Sequence, residues 1–114
     1  ISTIDFGTFH SYPEVWQFNS NATAWGTQWI NDHATSQKSI GKPVIIEEFG
    51  VKTNRVNTYT TWYSTVVNSG LSGDLIWQAG ISAQRGWDDG YAVFPNTPEY
   101  TLQKDHATAL KARA

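Results

Sequence analysis

The chain has 114 residues and no cysteine. There is therefore no disulfide framework, no thiolate nucleophile and no thiolate metal ligand, and cysteine usage does not report the redox compartment. Basic clusters are missing as well. The eight Lys and Arg residues are scattered through a sequence of net charge −2, with no run able to neutralise successive phosphates, so nucleic acid is excluded as a partner. No apolar run approaches the roughly 20 residues of a membrane-spanning helix, so no membrane association is expected. No low-complexity segment or linker divides the chain. Three separated histidines, His10, His33 and His106, without an acidic cluster do not form a familiar ligand set, and neither a metal nor any other cofactor is expected. What remains is a single domain's worth of residues, 39% of them hydrophobic, enough for a core of its own.

Aromatic residues are what the sequence has in quantity. Six Trp, five Tyr and five Phe make up 14% of the chain, and many sit among Gly, Asn, Thr and Asp rather than in apolar runs. Flat apolar faces beside hydrogen-bonding side chains suit sugar rings, whose C–H faces stack on aromatics while their hydroxyls need polar partners. The alternative is that most of these rings are core, least so for the loop tryptophans Trp16 and Trp87. Asn21-Ala22-Thr23 is a glycosylation sequon in a polar stretch. It points to a secreted protein modified at Asn21, although such tripeptides also arise by chance.

Three segments read as buried parallel strands: Ile1 to His10, Pro43 to Phe49 and Gly73 to Ala79. Helix-period stretches follow them. Ala24 to Ser39 repeats Trp25, Trp29, Ile30, His33 and Ala34 on one side, and Asn54 to Asn68 does the same with Val56, Tyr59, Trp62, Tyr63, Val66 and Val67. Gly41 suits a left-handed cap and Pro43 cannot continue the helix, Ser69-Gly70 stops the second, and a last helix spans about Thr101 to Lys111. His33 and His106 fall within helices and read as surface or interhelical residues. The order β-α-β-α-β-loop-α predicts a parallel sheet covered by helices.

In such folds functional groups collect at the carboxyl ends of the strands, where the loops are free to vary. His10, Glu48 and Trp77 lie at three such ends. Adjacent Glu47 and Glu48 present a puzzle, because strand alternation sends consecutive side chains to opposite faces. Glu48 is expected on the rim and Glu47 toward the helices, partly buried and satisfied by a neighbouring base or backbone donor. The plain alternative for Glu48 is a strand-end surface acid.

FGTFHSYPEVW (residues 6–16), GKPVIIEEFG (41–50), the tryptophan of DLIWQ (74–78) and DDGYAVF (88–94) resemble corresponding pieces of family-5 glycoside hydrolases, most of all fungal endo-β-1,4-mannanases. The resemblance implies an α/β fold in which residues 1–114 form strands 6 to 8, with their helices, of a (β/α)8 TIM barrel. It implies a retaining enzyme in which Glu48 is the nucleophile that forms a glycosyl-enzyme ester. It further implies that Tyr12 holds that carboxylate, that His10 contacts the sugar near the scissile bond, and that Trp77 forms the floor beneath it. Trp87 and Asp88-Asp89-Gly90-Tyr91 resemble a substrate-binding loop, with a core-capping ring and turn-shaping aspartates as the alternatives.

The family's acid/base is the Glu of an Asn-Glu pair, and no Asn-Glu occurs in this sequence; an early-strand arginine is missing too. Glu14, Glu99 and Asp5 are not suitable substitutes. A second chain or an N-terminal segment is accordingly expected to complete the barrel and supply the acid/base glutamate. The implied activity is hydrolysis of β-1,4-mannosidic bonds in mannan, glucomannan or galactomannan. A β-1,4-glucanase on the same barrel and a non-catalytic carbohydrate-binding module are the competing readings.

Overall fold

Val44-Ile45-Ile46 is β-branched throughout, which suits a strand buried between neighbours. In the computed structural model of the chain, which describes residues 2–113, it lies in the central strand. Strands β1 (Gly7–Ser11) and β3 (Gly73–Asp74) flank β2 (Val44–Phe49), both parallel to it. Helices α1 (Ala22–Ile40), α2 (Arg55–Ser69) and α3 (Pro98–Arg113) follow the three strands in turn. The β-α-β order is the one predicted, and it is not the β-sandwich typical of carbohydrate-binding modules.

Two strands are shorter than the sequence suggests. Ile1, placed at the start of the first strand, lies outside the described residues, and pairing begins only where Gly7 N–H donates to Pro43 C=O at 2.9 Å. The third strand keeps regular register for Gly73 and Asp74 alone. Beyond them Leu75 N–H donates to Ile46 C=O and Trp77 N–H to Phe49 C=O, at 2.9 and 3.0 Å. An advance of two residues on one strand against three on the other breaks the ladder. Ala79, the predicted end, forms only an isolated parallel bridge with Val93.

The helix ends follow from their caps. Asn21 Oδ1 accepts the Ala24 N–H at 3.2 Å, satisfying one of the free amides of the first turn of α1. Gly41 (φ 63°) and Gly70 (φ 81°) close α1 and α2 in the left-handed region, which only glycine occupies without steric cost.

The core forms where α1 and α2 cover one face of the sheet. Ile30 and Ala34 from α1, and Tyr59, Trp62, Tyr63 and Val66 from α2, bury Phe9, Val44, Ile46 and Phe49. Val56, expected on the same flank, is 40% exposed, and the buried arc of α2 instead reaches Thr58, whose hydroxyl lies 2.6 Å from that of Thr23 on α1. Trp62 Nε1–H donates to Thr23 C=O at 2.9 Å on the same seam. His106 is buried, stacked on Tyr63 with ring centroids 4.2 Å apart and hydrogen-bonded to the Asp74 carboxylate, so it ties α3 to α2 and β3. Arg113 donates to the carbonyls of Val66, Val67 and Leu71 and closes the C-terminal end of α2. Phe6 and Leu75 are exposed, and α1 and α2 leave the opposite side of the sheet uncovered. Among the described residues no helix is long and apolar enough to cross a membrane.

Gly26 sets the distance between α1 and α2, because a Cβ there would lie 2.2 Å from the Trp62 ring. Alanine would gain about 1 kcal/mol of helix propensity but overpack the seam. Gly26→Ala is expected to lower stability by about 1–3 kcal/mol net, read as a fall in the urea midpoint; an unchanged or higher midpoint would show that the helices can separate freely.

Candidate active site

The site is built on an irregularity. Along β1 and β2 the register runs Gly7–Val44, Thr8–Ile45, Phe9–Ile46 and then His10–Glu48, leaving Glu47 as an extra residue opposite nothing. A bulge of this kind returns two consecutive side chains to the same face. Ile46 before it and Phe49 after it both point into the core, at 1% and 2% exposure. The expectation for Glu47 is therefore corrected: its carboxylate does not face the helices but stands beside that of Glu48, with the His10 ring between them.

The distances are short. His10 Nε2 lies 2.9 Å from Glu47 Oε1, and His10 Nδ1 lies 3.6 Å from Glu48 Oε2. Tyr12 Oη donates to Glu48 Oε2 at 3.0 Å. The three charged or ionisable side chains His10, Glu47 and Glu48 are 37–41% exposed. Burial, and then the hydrogen bond to Glu48, push the Tyr12 phenol well above its ordinary range, so it remains a proton donor. Hydrogen bonds from His10 and then from the Thr8 hydroxyl hold the Glu47 carboxyl below its ordinary value. An ionised carboxylate only accepts, so His10 Nε2 carries the hydrogen.

Neighbouring elements hold these groups. Trp29 Nε1–H donates to the His10 carbonyl at 2.9 Å, anchoring the end of β1 to α1. Glu14 accepts from the Lys52 and Thr53 amides, at 2.7 and 3.1 Å, and from the Thr53 hydroxyl, tying the loop after β1 to the loop after β2. Burial alone would raise the Glu14 carboxyl, but these donors outweigh it and hold the carboxyl below its ordinary value. Tyr91 packs over Gly50, where a Cβ would lie 2.6 Å from its ring, and meets Tyr12 edge-on at 5.6 Å.

Trp77 joins the rim through its backbone bond to Phe49 and through its indole Nε1–H, which donates to Asp89 Oδ2 at 2.8 Å. The peptide bond from Trp77 to Gln78 is cis. The indole bond to Asp89 is the main cause holding that carboxyl below its ordinary value. Asp88 Oδ1 accepts the Gly90 and Ala92 amides at 2.8 and 3.3 Å and shapes the turn. Trp87 is 86% exposed at the end of a 3₁₀ turn over Ser82–Trp87. It lines a separate small cavity of about 80 Å³ together with Asp88, Gln78 and Gly80.

The structure thus brings together His10, Tyr12 and Glu48, sets Trp77 at the adjoining strand end, and leaves Trp87 and Asp88 outside that cluster. Asn21 is exposed at the start of α1. A larger groove of about 330 Å³ lies on the outer helical side between α2 and α3, lined by Tyr63, Leu102 and His106 among others, away from the carboxylates. From the sequence alone Glu47 is expected away from the site, and Asp89 is read as part of the loop after β3 without its bond to the Trp77 indole. The only signals for them were the doubled acids of EEF and DDG, which do not say which of each pair points where.

Acidic, phenolic and indole side chains stand at the carboxyl ends of successive parallel strands, where α/β folds carry their sites, and superposition on two mannanase structures makes this chain the C-terminal part of a TIM barrel. Residues 5–83 match the model for cellulase (glycosyl hydrolase family 5), and the chain belongs to glycoside hydrolase family 5. It is 42% identical over 118 aligned residues to mannan endo-1,4-beta-mannosidase A of Aspergillus aculeatus, covering 100% of this chain and 30% of that protein. Its fold superposes on the endo-1,4-beta-mannanase of Rhizomucor miehei with a TM-score of 0.85 and 38% identity, covering 98% of this chain and 31% of the other. For the endo-beta-1,4-mannanase of Thermotoga petrophila the values are 0.81 and 34%, with coverages of 96% and 27%. The chain spans under a third of the length of these relatives.

Asp89 offers a pH test. Its folded-state carboxyl titrates below its ordinary value, so its anchoring of Trp77 is complete above about pH 4 and is lost as pH falls through the lower folded-state value. The tryptophan emission of Asp89→Ala should differ from that of the parent at neutral pH, and the difference should vanish in acid. A difference that persists in strong acid would show that Trp77 is held by other contacts.

Proposed function

We propose that this chain is the nucleophile-bearing part of a retaining endo-β-1,4-mannanase acting on mannan, glucomannan or galactomannan. The observation that carries the reading is the Tyr12 hydroxyl on Glu48 Oε2 at 3.0 Å, at the ends of adjacent parallel strands. With one Glu48 oxygen held, the other is free to attack the anomeric carbon and form the glycosyl-enzyme ester, which water then hydrolyses. His10 stands beside the attacking carboxylate and Trp77 provides a flat face below the flattening sugar ring. Trp87 and Asp88 extend the sugar-binding surface from the loop after β3. The mannanases to which the chain is similar support mannan as the substrate.

Double displacement needs a second carboxyl about 5–5.5 Å from the nucleophile. The sequence contains no Asn-Glu pair, so the acid/base glutamate is proposed to come from an N-terminal segment or second chain that completes the barrel. Residues 1–114 are then the C-terminal segment of one catalytic domain. The proposal extends to a secreted protein glycosylated at Asn21, whose exposed side chain at a helix start leaves room for a glycan. A β-1,4-glucanase is the second reading, favoured by the cellulase description of the matching family model. Turnover of mannan against carboxymethyl-cellulose decides between them.

Mutation tests the chemistry. In the complete enzyme Glu48→Gln is expected to abolish turnover while mannooligosaccharide binding persists. Tyr12→Phe should keep the fold and lose on the order of 2–4 kcal/mol of transition-state stabilisation, the cost of one well-placed hydrogen bond at a charge centre. Retained turnover in Glu48→Gln, or a Tyr12→Phe rate within about twofold of the parent, would remove Glu48 or Tyr12 from its role.

A further inference from the structure

The double displacement proposed above assigns no step to Glu47, yet the bulge inserts one residue into β2 and turns this carboxylate into the site. We propose that Glu47 is a positioning residue: by accepting the His10 Nε2–H it fixes the imidazole between the two carboxylates and keeps the ring from donating to Glu48. The proposal rests on the reading of Glu48 as nucleophile.

The number of hydrogens on the ring limits what it can donate. A neutral imidazole has one N–H, and here two carboxylates face its two nitrogens, at 2.9 Å on the Glu47 side and 3.6 Å on the Glu48 side. Glu48 Oε2 already accepts from Tyr12. A further N–H from His10 would draw charge from the same carboxylate and blunt its attack, because a hydrogen bond stabilises the anion that must be consumed. Glu47 removes that competition by lying closer and in hydrogen-bond contact. The His10 backbone is held in turn by the Trp29 indole. The ring is thus fixed at its backbone and at Nε2, which holds Nδ1 3.6 Å from the nucleophile, beyond hydrogen-bond distance.

The test uses the complete enzyme and a β-1,4-linked mannooligosaccharide of fixed length. Glu47→Ala should lower kcat by about 100-fold, the scale of a misplaced catalytic constellation, with KM little changed. Glu47→Gln, which keeps an acceptor oxygen, should recover about tenfold of that loss. Adding Glu47→Ala to His10→Ala should cost nothing further, because both act through one ring. Long-range proton–nitrogen NMR supplies a readout independent of turnover: the His10 hydrogen should lie on Nε2 in the parent and move to Nδ1 in Glu47→Ala. Where Ala unfolds the protein, Glu47→Met keeps the side-chain length without an acceptor and takes its place. A kcat within about twofold of the parent in the acceptor-free variant, equal losses in that variant and Glu47→Gln, or an unmoved His10 hydrogen would each overturn the proposal. Active Glu48→Gln enzyme would instead overturn the assignment of the nucleophile, while the His10 spectrum would still report whether Glu47 sets the ring.

Discussion

The register slip between β1 and β2, one residue long and centred on Glu47, is the constraint on which the site depends, because it is felt on both sides of the central strand. Toward β1 it lets His10 pair with Glu48 instead of Glu47. Toward β3 it makes Trp77 bond to Phe49 rather than continue the regular ladder begun at Gly73. Three strand ends that would otherwise present alternating faces are thereby brought into phase, with two carboxylates, an imidazole and an indole on one rim. Bulges bend and twist a strand locally and are over-represented at barrel rims beside active sites. Here the consequence is chemical as well as geometric, since the second carboxylate enters the electrostatics of the first through a shared histidine.

The core makes such an irregular rim affordable. Phe49, the first residue after the bulge, is ringed edge-on by Tyr59, Trp62 and Tyr63 at centroid distances of 5.9 to 6.2 Å. Edge-to-face pairs of this kind add to the burial energy of the rings. They fix the position at which alternation resumes and hence the side on which Glu48 emerges. The Tyr59 hydroxyl bonds to the amide and the carbonyl of Val51, two residues beyond Phe49, at 3.1 and 3.2 Å. Arg55 bonds the carbonyls of Tyr91 and Ala92 at 2.9 and 3.1 Å, so the start of α2 holds the loop that carries Asp89. Packing beneath the sheet and hydrogen bonding above it are two ends of the same set of residues.

The opposite side of the sheet has a different status. Phe6, Leu75 and Trp77 are exposed, and β1 and β3 are edge strands with no further partner strand among the described residues. In a closed barrel those residues and edges meet the remaining strands. Membership of family 5 and coverage of less than a third of the related chains account for this without any special property of the surface.

The sequence by itself determined the strand and helix order, the capping glycines, and the placement of His10, Tyr12, Glu48 and Trp77 at strand ends, because periodicity, cap chemistry and short motifs are local. Its resemblance to family 5 rested on residues whose spacing is preserved along the chain. Alternation was also a local rule, and it failed at Glu47 for a nonlocal reason: whether a strand contains a bulge depends on the register chosen by its neighbours, which no residue in GKPVIIEEFG announces. The same slip shortened the third strand. His106 and Asp74, 32 residues apart, read separately as a helical histidine and a strand acid, and became a buried pair only when α3 crossed β3. Which of two adjacent acids faces the site, and which nitrogen of a histidine carries its hydrogen, were decided by tertiary structure, because both are set by distances between segments that the chain order leaves open.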